Sequence, residues 1–312
     1  MKTVKLFPVF ILCASLLACT SETQSDSADP LYENVPIIAD CTAGALSEAE
    51  KGKVLTYINS IRETHGLPGV VCDDKNNILA QKAALIGAAN ADISSVIMES
   101  DFCYSSEAAQ ECARSNRSLW GSTTANWPVS EIHVNDWMTE LNSTNINCRR
   151  RLLDPFLKSI TFGRIIGSPK KGEYKYVSSA ILMTASGNVD LSEYDIQYVA
   201  YPQGIYNAKL FDQNSFLSFS ILYDKYIKMN NGASIDFSKA TIEVSAGSQP
   251  LEIVEGSISY DSIHIVNSYN GLPNNLQWKV AGLTKNITYT VKISNVTVAE
   301  EPKNYEYTFS FK

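Results

Sequence analysis

The spacing of apolar residues changes part-way along the chain, from a helical period to strict alternation. Val54, Ile58 and Ile61 recur every three or four residues, as one face of an α-helix requires. Residues 305–311 alternate aromatic and polar side chains, as a strand with one buried face requires. The change falls near residue 200. It predicts an α+β chain, with helices and some strands before this point and strands alone after it.

The helices are predicted in the first part of the chain. Ser47 and Glu50 form an S-x-x-E capping box that opens a first helix, and Gly66 and Pro68 end it. Further elements are predicted as helices over residues 76–91 and 129–141, loops with short helical turns over 93–127, and strands over 159–166 and 174–184.

Short strands are predicted throughout the second part. Their ranges are residues 216–223, 241–244, 257–266, 276–280, 289–293 and 305–311. Several short strands at this spacing are typical of a β-sandwich. A chain of this length usually forms two domains, and the change of period places the break near residue 200.

The N-terminus has the features of an export signal. Lys2 and Lys5 precede an apolar run that is too short for a comfortable membrane span. The run ends in Leu-Leu-Ala-Cys, which resembles the lipobox of bacterial lipoproteins. The resemblance implies cleavage after residues 1–18, lipid on the thiol of Cys19, and a polar tether over residues 19–42. An ordinary signal peptide with a chance cysteine is the alternative.

The acidic composition limits the partners of the chain. The formal net charge is −7, and basic runs of the kind that bind nucleic acid are absent from the sequence. Nucleic acid is therefore not expected as a partner, whereas a membrane is expected through Cys19. No cofactor is predicted.

Five cysteines remain after the signal cysteine and the lipidated one are set aside. They are Cys41, Cys72, Cys103, Cys112 and Cys148. Disulfides are expected outside the cytoplasm, and an odd number leaves one thiol over. Neighbouring positions suggest the pairs Cys103–Cys112 and Cys41–Cys72 with Cys148 free, although spacing alone does not fix connectivity. None of the spacings is C-x-x-C, which gives no support to a zinc knuckle or a redox motif.

Several blocks of the chain, in order, resemble the CAP superfamily of cysteine-rich secretory, antigen 5 and pathogenesis-related proteins. The matching blocks are Asn59, Arg62, Gly66 and Leu67 around the first helix, the alanine-rich residues 80–90, Ser115-Asn116, residues 147–155, Phe162-Gly163 and Tyr201-Pro202-Gln203-Gly204. The last block is similar to the opening of a C-terminal sandwich in a bacterial subgroup. The resemblance implies a three-layer α-β-α sandwich over residues 43–200 and an immunoglobulin-like sandwich over residues 201–312.

The chain departs from the family at the cleft, which in some members holds a divalent metal between two histidines and two acids. One histidine position is Cys148, and the other falls near Ser94 and Ser95. Glu140 borders the implied cleft without a clear family counterpart. Since a zinc site needs three or four ligands in close array, the resemblance implies a degenerate cleft without a tightly bound metal.

Six residues are the candidates for ligand binding in this cleft. They are Ser115, Asn116, His133, Glu140, Cys148 and Arg149. For Cys148 a cleft role, a disulfide and a tolerated replacement all stay open. The basic residues 149–151 are either one structural arginine with two solvated ones or an anion site. Ser115-Asn116 also suits a structural turn, and His133 also suits a core residue. His65, at a helix end where partial positive charge is favoured, is predicted to be structural.

Three hypotheses for function follow. The first is a lipid-anchored, extracytoplasmic envelope protein that binds a small hydrophobic ligand, a wall component or a protein, with the sandwich as a spacer. The second is a hydrolase or metal-dependent enzyme, for which no catalytic set can be assembled from the sequence. The third is a purely structural envelope protein. The sequence favours binding over catalysis.

Overall fold

The fold is described from a computed structural model, which covers residues 31–94, 96–141, 143, 145–255 and 270–312. The predicted signal, Cys19, Ser95, the strand predicted over 257–266 and His264 lie outside the described residues. None of the described helices has the length and apolar character needed to cross a membrane.

The first part of the chain alternates helices with strands. Its helices are α1 (Glu48–Thr64), α2 (Asn77–Asn90), α3 (Ser106–Arg114), α4 (Ser130–Thr139) and α5 (Asn147–Leu152). Its strands are β1 (Tyr32–Asn34), β2 (Ala45–Leu46), β3 (Val71–Cys72), β4 (Asn116–Ser122), β5 (Leu157–Gly167) and β6 (Tyr176–Ser186).

One four-stranded sheet, in the order β3-β5-β6-β4, organises these elements. Side chains of β5 and β6 alternate between its two faces, as the pleat requires. Phe162 and Leu182 face a core that contains the apolar residues of α1 and α4. Ile165 and Ile181 face a second core made by α2 and α3. Helices therefore cover both faces of this sheet.

Strands make up nearly all of the regular secondary structure that is described in the second part of the chain. Its strands are β7 (Tyr198–Tyr201), β8 (Gly204–Tyr206), β9 (Leu217–Ile221), β10 (Ile235–Asp236), β11 (Thr241–Ala246), β12 (Gln249–Pro250), β13 (Ile253–Glu255), β14 (Leu276–Val280), β15 (Tyr289–Val298) and β16 (Glu301–Phe311). One sheet has the order β12-β11-β15-β16-β8 with β10 beside β15, and the other has the order β13-β14-β9-β7. A single helical turn, α6 (Asn230–Ala233), interrupts the strands.

One hydrophobic core crosses the predicted break at residue 200. It runs from Ile58 and Trp137 of the first part to Tyr201 and on to Trp278 and Phe309 between the two later sheets. The strand β7 starts at Tyr198 and pairs with β9, so an edge strand of the second part begins ahead of the predicted boundary.

The prediction of a mixed α+β chain is confirmed. Ser47 opens α1 by accepting a hydrogen bond from the Glu50 backbone N–H at 3.2 Å, as the capping box predicts. The helix predicted over 129–141 is shorter, because Glu140 adopts a left-handed backbone conformation directly after α4. Residues 93–127 hold more structure than predicted, since both α3 and the edge strand β4 lie within them.

The disulfide pairing differs from the predicted one. Cys41 is bonded to Cys103, with the two Cα atoms 5.1 Å apart. Cys72, Cys112 and Cys148 carry free thiols. Cys112 lies inside α3 and points toward α2, where its Sγ is 3.7 Å from the Ala83 carbonyl oxygen. Cys148 is free, as predicted, but it is not the one thiol left over, because Cys72 and Cys112 are free as well.

Candidate functional site

Glu140 lies directly after α4 and holds the start of α5. Its Oε1 accepts a hydrogen bond from the Cys148 backbone N–H at 2.9 Å, and its Oε2 accepts one from Arg149 at 3.0 Å. Burial raises the pKa of the Glu140 carboxyl, while the charge of Arg149 and the two N–H groups oppose this rise. Both oxygens are thus already engaged with the protein backbone.

Cys148 lies beside Glu140 with a free thiol. Burial raises the pKa of this thiol well above its ordinary value, and the neighbouring Glu140 carboxyl raises it further. The thiolate is the form of cysteine that attacks substrates and binds metals. At neutral pH the Cys148 side chain is therefore a protonated, weakly polar group rather than a nucleophile.

Arg149 is fully buried at the junction of the two parts of the chain. Its guanidinium donates to the carbonyl oxygens of Met138 at 3.0 Å and Phe216 at 2.8 Å. The guanidinium carbon lies 3.7 Å from the centre of the Tyr201 ring, a cation–π contact. These contacts join the first part to the second and leave Arg149 buried away from any ligand in solvent.

The two following arginines also bind the protein. Arg150 donates to the Leu272 carbonyl oxygen at 2.8 Å, and Arg151 donates to Asn116 Oδ1 at 3.1 Å. Asn116 in turn donates to the Cys148 carbonyl oxygen at 3.0 Å. The expectation of two solvated arginines is corrected, because the start of β4 and the loop that carries Leu272 lie close enough to accept their hydrogen bonds.

Ser115 and Asn116 are both buried and connect α3 to β4. Asn116 contacts the cluster of Glu140, Cys148 and Arg149 through the Cys148 carbonyl oxygen. The structure therefore brings four of the six candidates together. Ser115 serves as the C-cap residue of α3, and His133 belongs to a different network.

His133 occupies a buried polar network on the α4 side of the sheet. Its Nδ1 lies 2.8 Å from Ser118 Oγ and its Nε2 lies 3.0 Å from Ser178 Oγ. Burial, reinforced by the positive charge of Arg164, lowers the pKa of His133 to about 3. The imidazole is neutral at physiological pH, and its two nitrogens contact serines instead of Glu140 and Cys148.

The direction of each hydrogen bond in this network follows from its two ends. Asp136 accepts from Ser118 at 2.8 Å and from the Trp120 indole N–H at 2.7 Å, so Ser118 has no proton left for His133. His133 Nδ1 must therefore donate to Ser118. At the other end, Arg164 donates to Ser178 at 3.0 Å, and Ser178 donates its hydroxyl proton to His133 Nε2. With a neutral imidazole, each of these hydrogen bonds has one donor and one acceptor.

His65 is structural, as predicted, but carries no positive charge. It is buried after α1, where its Nε2 lies 3.0 Å from the Tyr206 hydroxyl. Burial is the main cause that lowers the pKa of His65 to about 3, and Arg62 acts in the same direction. The loss of solvent outweighs the favourable position at a helix end.

An open groove of about 380 Å³ lies on the surface beyond this network. It is lined by Trp120, Gly121, Ser122, Thr124, Asn126, Trp127 and Pro128. Sequence reasoning did not single out these residues, because the segment was predicted as loops. The available signal was the presence of two of the four tryptophans in a polar stretch of eight residues.

The chain matches none of the models of protein families, and no curated protein has a similar sequence at a significant level. Within the described residues, no group of three or more His, Cys, Asp and Glu side chains is arranged to hold a metal ion.

Proposed function

We propose that this protein is a lipid-anchored, extracytoplasmic envelope protein that acts by binding rather than by catalysis. Its first part is a degenerate CAP-like domain, and its second part is an immunoglobulin-like sandwich. The observation that carries the proposal is the state of Glu140, whose two carboxylate oxygens are taken up by the backbone N–H groups of Cys148 and Arg149. An acid used in this way stabilises the start of α5, which is a structural role rather than a catalytic one.

The arrangement of the elements supports the CAP-like assignment of the first part. Helices α1 and α4 pack on one face of the four-stranded sheet, and α2 and α3 pack on the other. In the family that the sequence resembles, the cleft borders the segment matched by α5. That segment carries Cys148 at the histidine position, and burial keeps the thiol protonated.

The geometry gives little support to the hydrolase alternative. Ser178, His133, Ser118 and Asp136 form a chain of hydrogen bonds that resembles a relay of nucleophile, base and acid. Ser178 and His133 are both fully buried, however, and a nucleophile must reach its substrate. Arg164 also donates to Ser178, so this network holds α4 against the sheet.

Zinc calorimetry on the reduced protein tests the absence of a metal-dependent site. We expect no stoichiometric binding in the nanomolar range, because a protonated Cys148 and an engaged Glu140 leave too few ligands. Cys72→Ser is the matched control, since Cys72 is also a free thiol but lies in β3 rather than in α5 beside Glu140. Nanomolar binding that disappears in Cys148→Ala but persists in Cys72→Ser would contradict the proposal.

The lipid anchor is tested separately with labelled palmitate. The lipobox resemblance predicts that growing cells label the wild-type protein and do not label Cys19→Ala. A polar stretch of about ten residues follows Cys19, which suits a flexible tether to the membrane. Equal labelling of the two proteins would refute the anchor.

A further inference from the structure

The groove beside β4 combines exposed aromatic rings with uncharged polar side chains. Trp120, whose residue exposure is 42%, and Trp127 supply the aromatic surface. Ser122, Thr124 and Asn126 supply hydroxyl and amide groups between them. None of the seven lining residues carries a charge.

The tryptophan rings are held in place before any ligand arrives. The Trp120 indole N–H donates to the partly buried carboxylate of Asp136 at 2.7 Å, which satisfies its polar edge and leaves carbon surface facing solvent. The Trp127 ring meets Tyr176 edge to face, with centroids 5.6 Å apart. Aromatic rings fixed in this way lose little conformational entropy when a ligand covers them.

We propose that this groove binds a neutral saccharide, with a sugar ring stacked on the tryptophans. A pyranose ring has an apolar C–H face that fits an indole, and hydroxyls at its rim that fit Ser122, Thr124 and Asn126. An anion would find no cation among the lining residues. The Ser122 and Thr124 hydroxyls lie 3.3 Å apart and bond each other, but an apolar chain would cover the remaining donors and acceptors of the groove without hydrogen bonding to them, which is unfavourable. The inference rests on the proposed binding function and names its ligand class.

The test uses the full-length protein and three neutral probes: chitotetraose, cellotetraose and maltotetraose. Trp137 and Trp278 are buried, so quenching by acrylamide reports mainly on Trp120 and Trp127. We expect at least one probe to protect this fluorescence in a saturable manner. Trp120→Ala and Trp127→Ala should each weaken binding by about tenfold or more. Tyr226→Ala, which removes an exposed aromatic ring from the second part of the chain, should leave affinity unchanged.

A second measurement works on the wild-type protein alone and does not depend on the folding of the variants. Oxidation by N-bromosuccinimide, followed by peptide mass spectrometry, should modify Trp120 and Trp127 first, and a bound saccharide should protect both. Protection by decaproline with no protection by any saccharide would overturn the inference in favour of a proline-rich peptide, which aromatic grooves also accept. No protection by any probe would overturn it as well.

The two proposals fail in different ways in this experiment. Cleavage of a bound oligosaccharide, seen as shorter products by mass spectrometry, would refute the non-catalytic function and support the groove as a saccharide site. A protein that neither binds nor cleaves the three probes would refute the saccharide site and leave the non-catalytic function untouched.

Discussion

At the scale of single residues, burial decides what the polar side chains of this chain do. Glu140, Cys148 and His133 have the chemistry of a catalytic site, but each is desolvated and engaged with neighbouring groups of the fold. Desolvation favours the neutral form of a side chain. The same residue types therefore build structure here, and the proposed saccharide site lies instead at Trp120 and Trp127 on the surface.

His133 provides a pH test of this view. Its pKa is lowered from 6.5 to about 3 in the fold, so between these values the unfolded chain binds a proton that the folded chain does not. The free energy of unfolding should therefore fall as the pH drops from 6.5 toward 3, by up to about 1.4 kcal/mol per pH unit from this group. In His133→Asn, which keeps a donor near Nδ1, urea unfolding from pH 7.5 to 4.5 should show a shallower fall.

The difference between the two proteins in how the free energy of unfolding depends on pH isolates His133, because the carboxylates and the other two histidines are the same in both. A constant offset between wild type and His133→Asn is expected from the altered hydrogen bonds and does not affect the test. If the free energies of unfolding of the two proteins ran parallel over the whole pH range, the pKa of His133 would be the same in the folded and unfolded chains, which would contradict the prediction.

At the scale of secondary-structure elements, the alanine-rich helix α2 lies unusually close to the sheet. Gly163 of β5 faces it, and a Cβ there would lie 2.4 Å from the carbonyl oxygen of Ala80. Small residues on both sides allow this approach, and the packing buries α2 against Ile165 and Ile181. The small side chains of the alanine-rich residues 80–90 suit such close packing, and the structure identifies the sheet as the partner.

Gly163→Ala should therefore destabilise the protein. The added methyl group meets the backbone of α2, which cannot move aside as a flexible side chain can, so we expect a loss of about 1–3 kcal/mol in the free energy of unfolding. Gly52→Ala is the matched control, because a Cβ at Gly52 in α1 meets nothing within 4 Å. That variant should gain about 0.5–1 kcal/mol from helix propensity. Equal effects in urea unfolding would contradict the close contact.

Periodicity predicted the elements whose faces are clearly divided between core and solvent. The first two helices and β14 begin and end within two residues of the predicted bounds. The edge strand β4 was missed because its sequence, Asn-Arg-Ser-Leu-Trp-Gly-Ser, has no regular apolar alternation. Its residues are buried by partners far along the chain: Ser118 by Asp136 and His133, and Asn116 by Cys148 and Arg151. Such partners are set by tertiary packing, which the local sequence pattern does not encode.

The disulfide was predicted wrongly for a similar reason. Neighbours in sequence suggested Cys103 with Cys112, whereas the loop that carries Cys103 is held at the end of α2 by paired hydrogen bonds between Phe102 and Asn90. This places Cys103 next to Cys41, which follows Ile38 over the same apolar core. Connectivity is a property of the packed fold rather than of spacing.

At the scale of the whole molecule, the two parts of the chain share buried polar contacts as well as a core. Lys228, in the second part, forms an ion pair at 2.6 Å with Asp154, in the first part, and both side chains are almost fully buried. Arg149 reaches the Phe216 carbonyl oxygen across the same junction. That residues 201–312 form a domain of their own stays a prediction. The shared interior favours a single unfolding transition for the intact chain.

Removal of one charge from the buried pair tests this coupling. Asp154→Asn removes the charge of one member of the buried Lys228–Asp154 pair, and loss of one member of such a pair typically costs about 3–5 kcal/mol. The control is Glu306→Gln, which breaks the exposed Lys292–Glu306 pair at 3.6 Å and should cost less than about 1 kcal/mol. Native-state hydrogen exchange should show β5 and β6 of the first part and β14 and β15 of the second losing protection by the same amount in Asp154→Asn. If only β5 and β6 become less protected while β14 and β15 keep their wild-type free energy of opening, the two parts are energetically independent despite their common core.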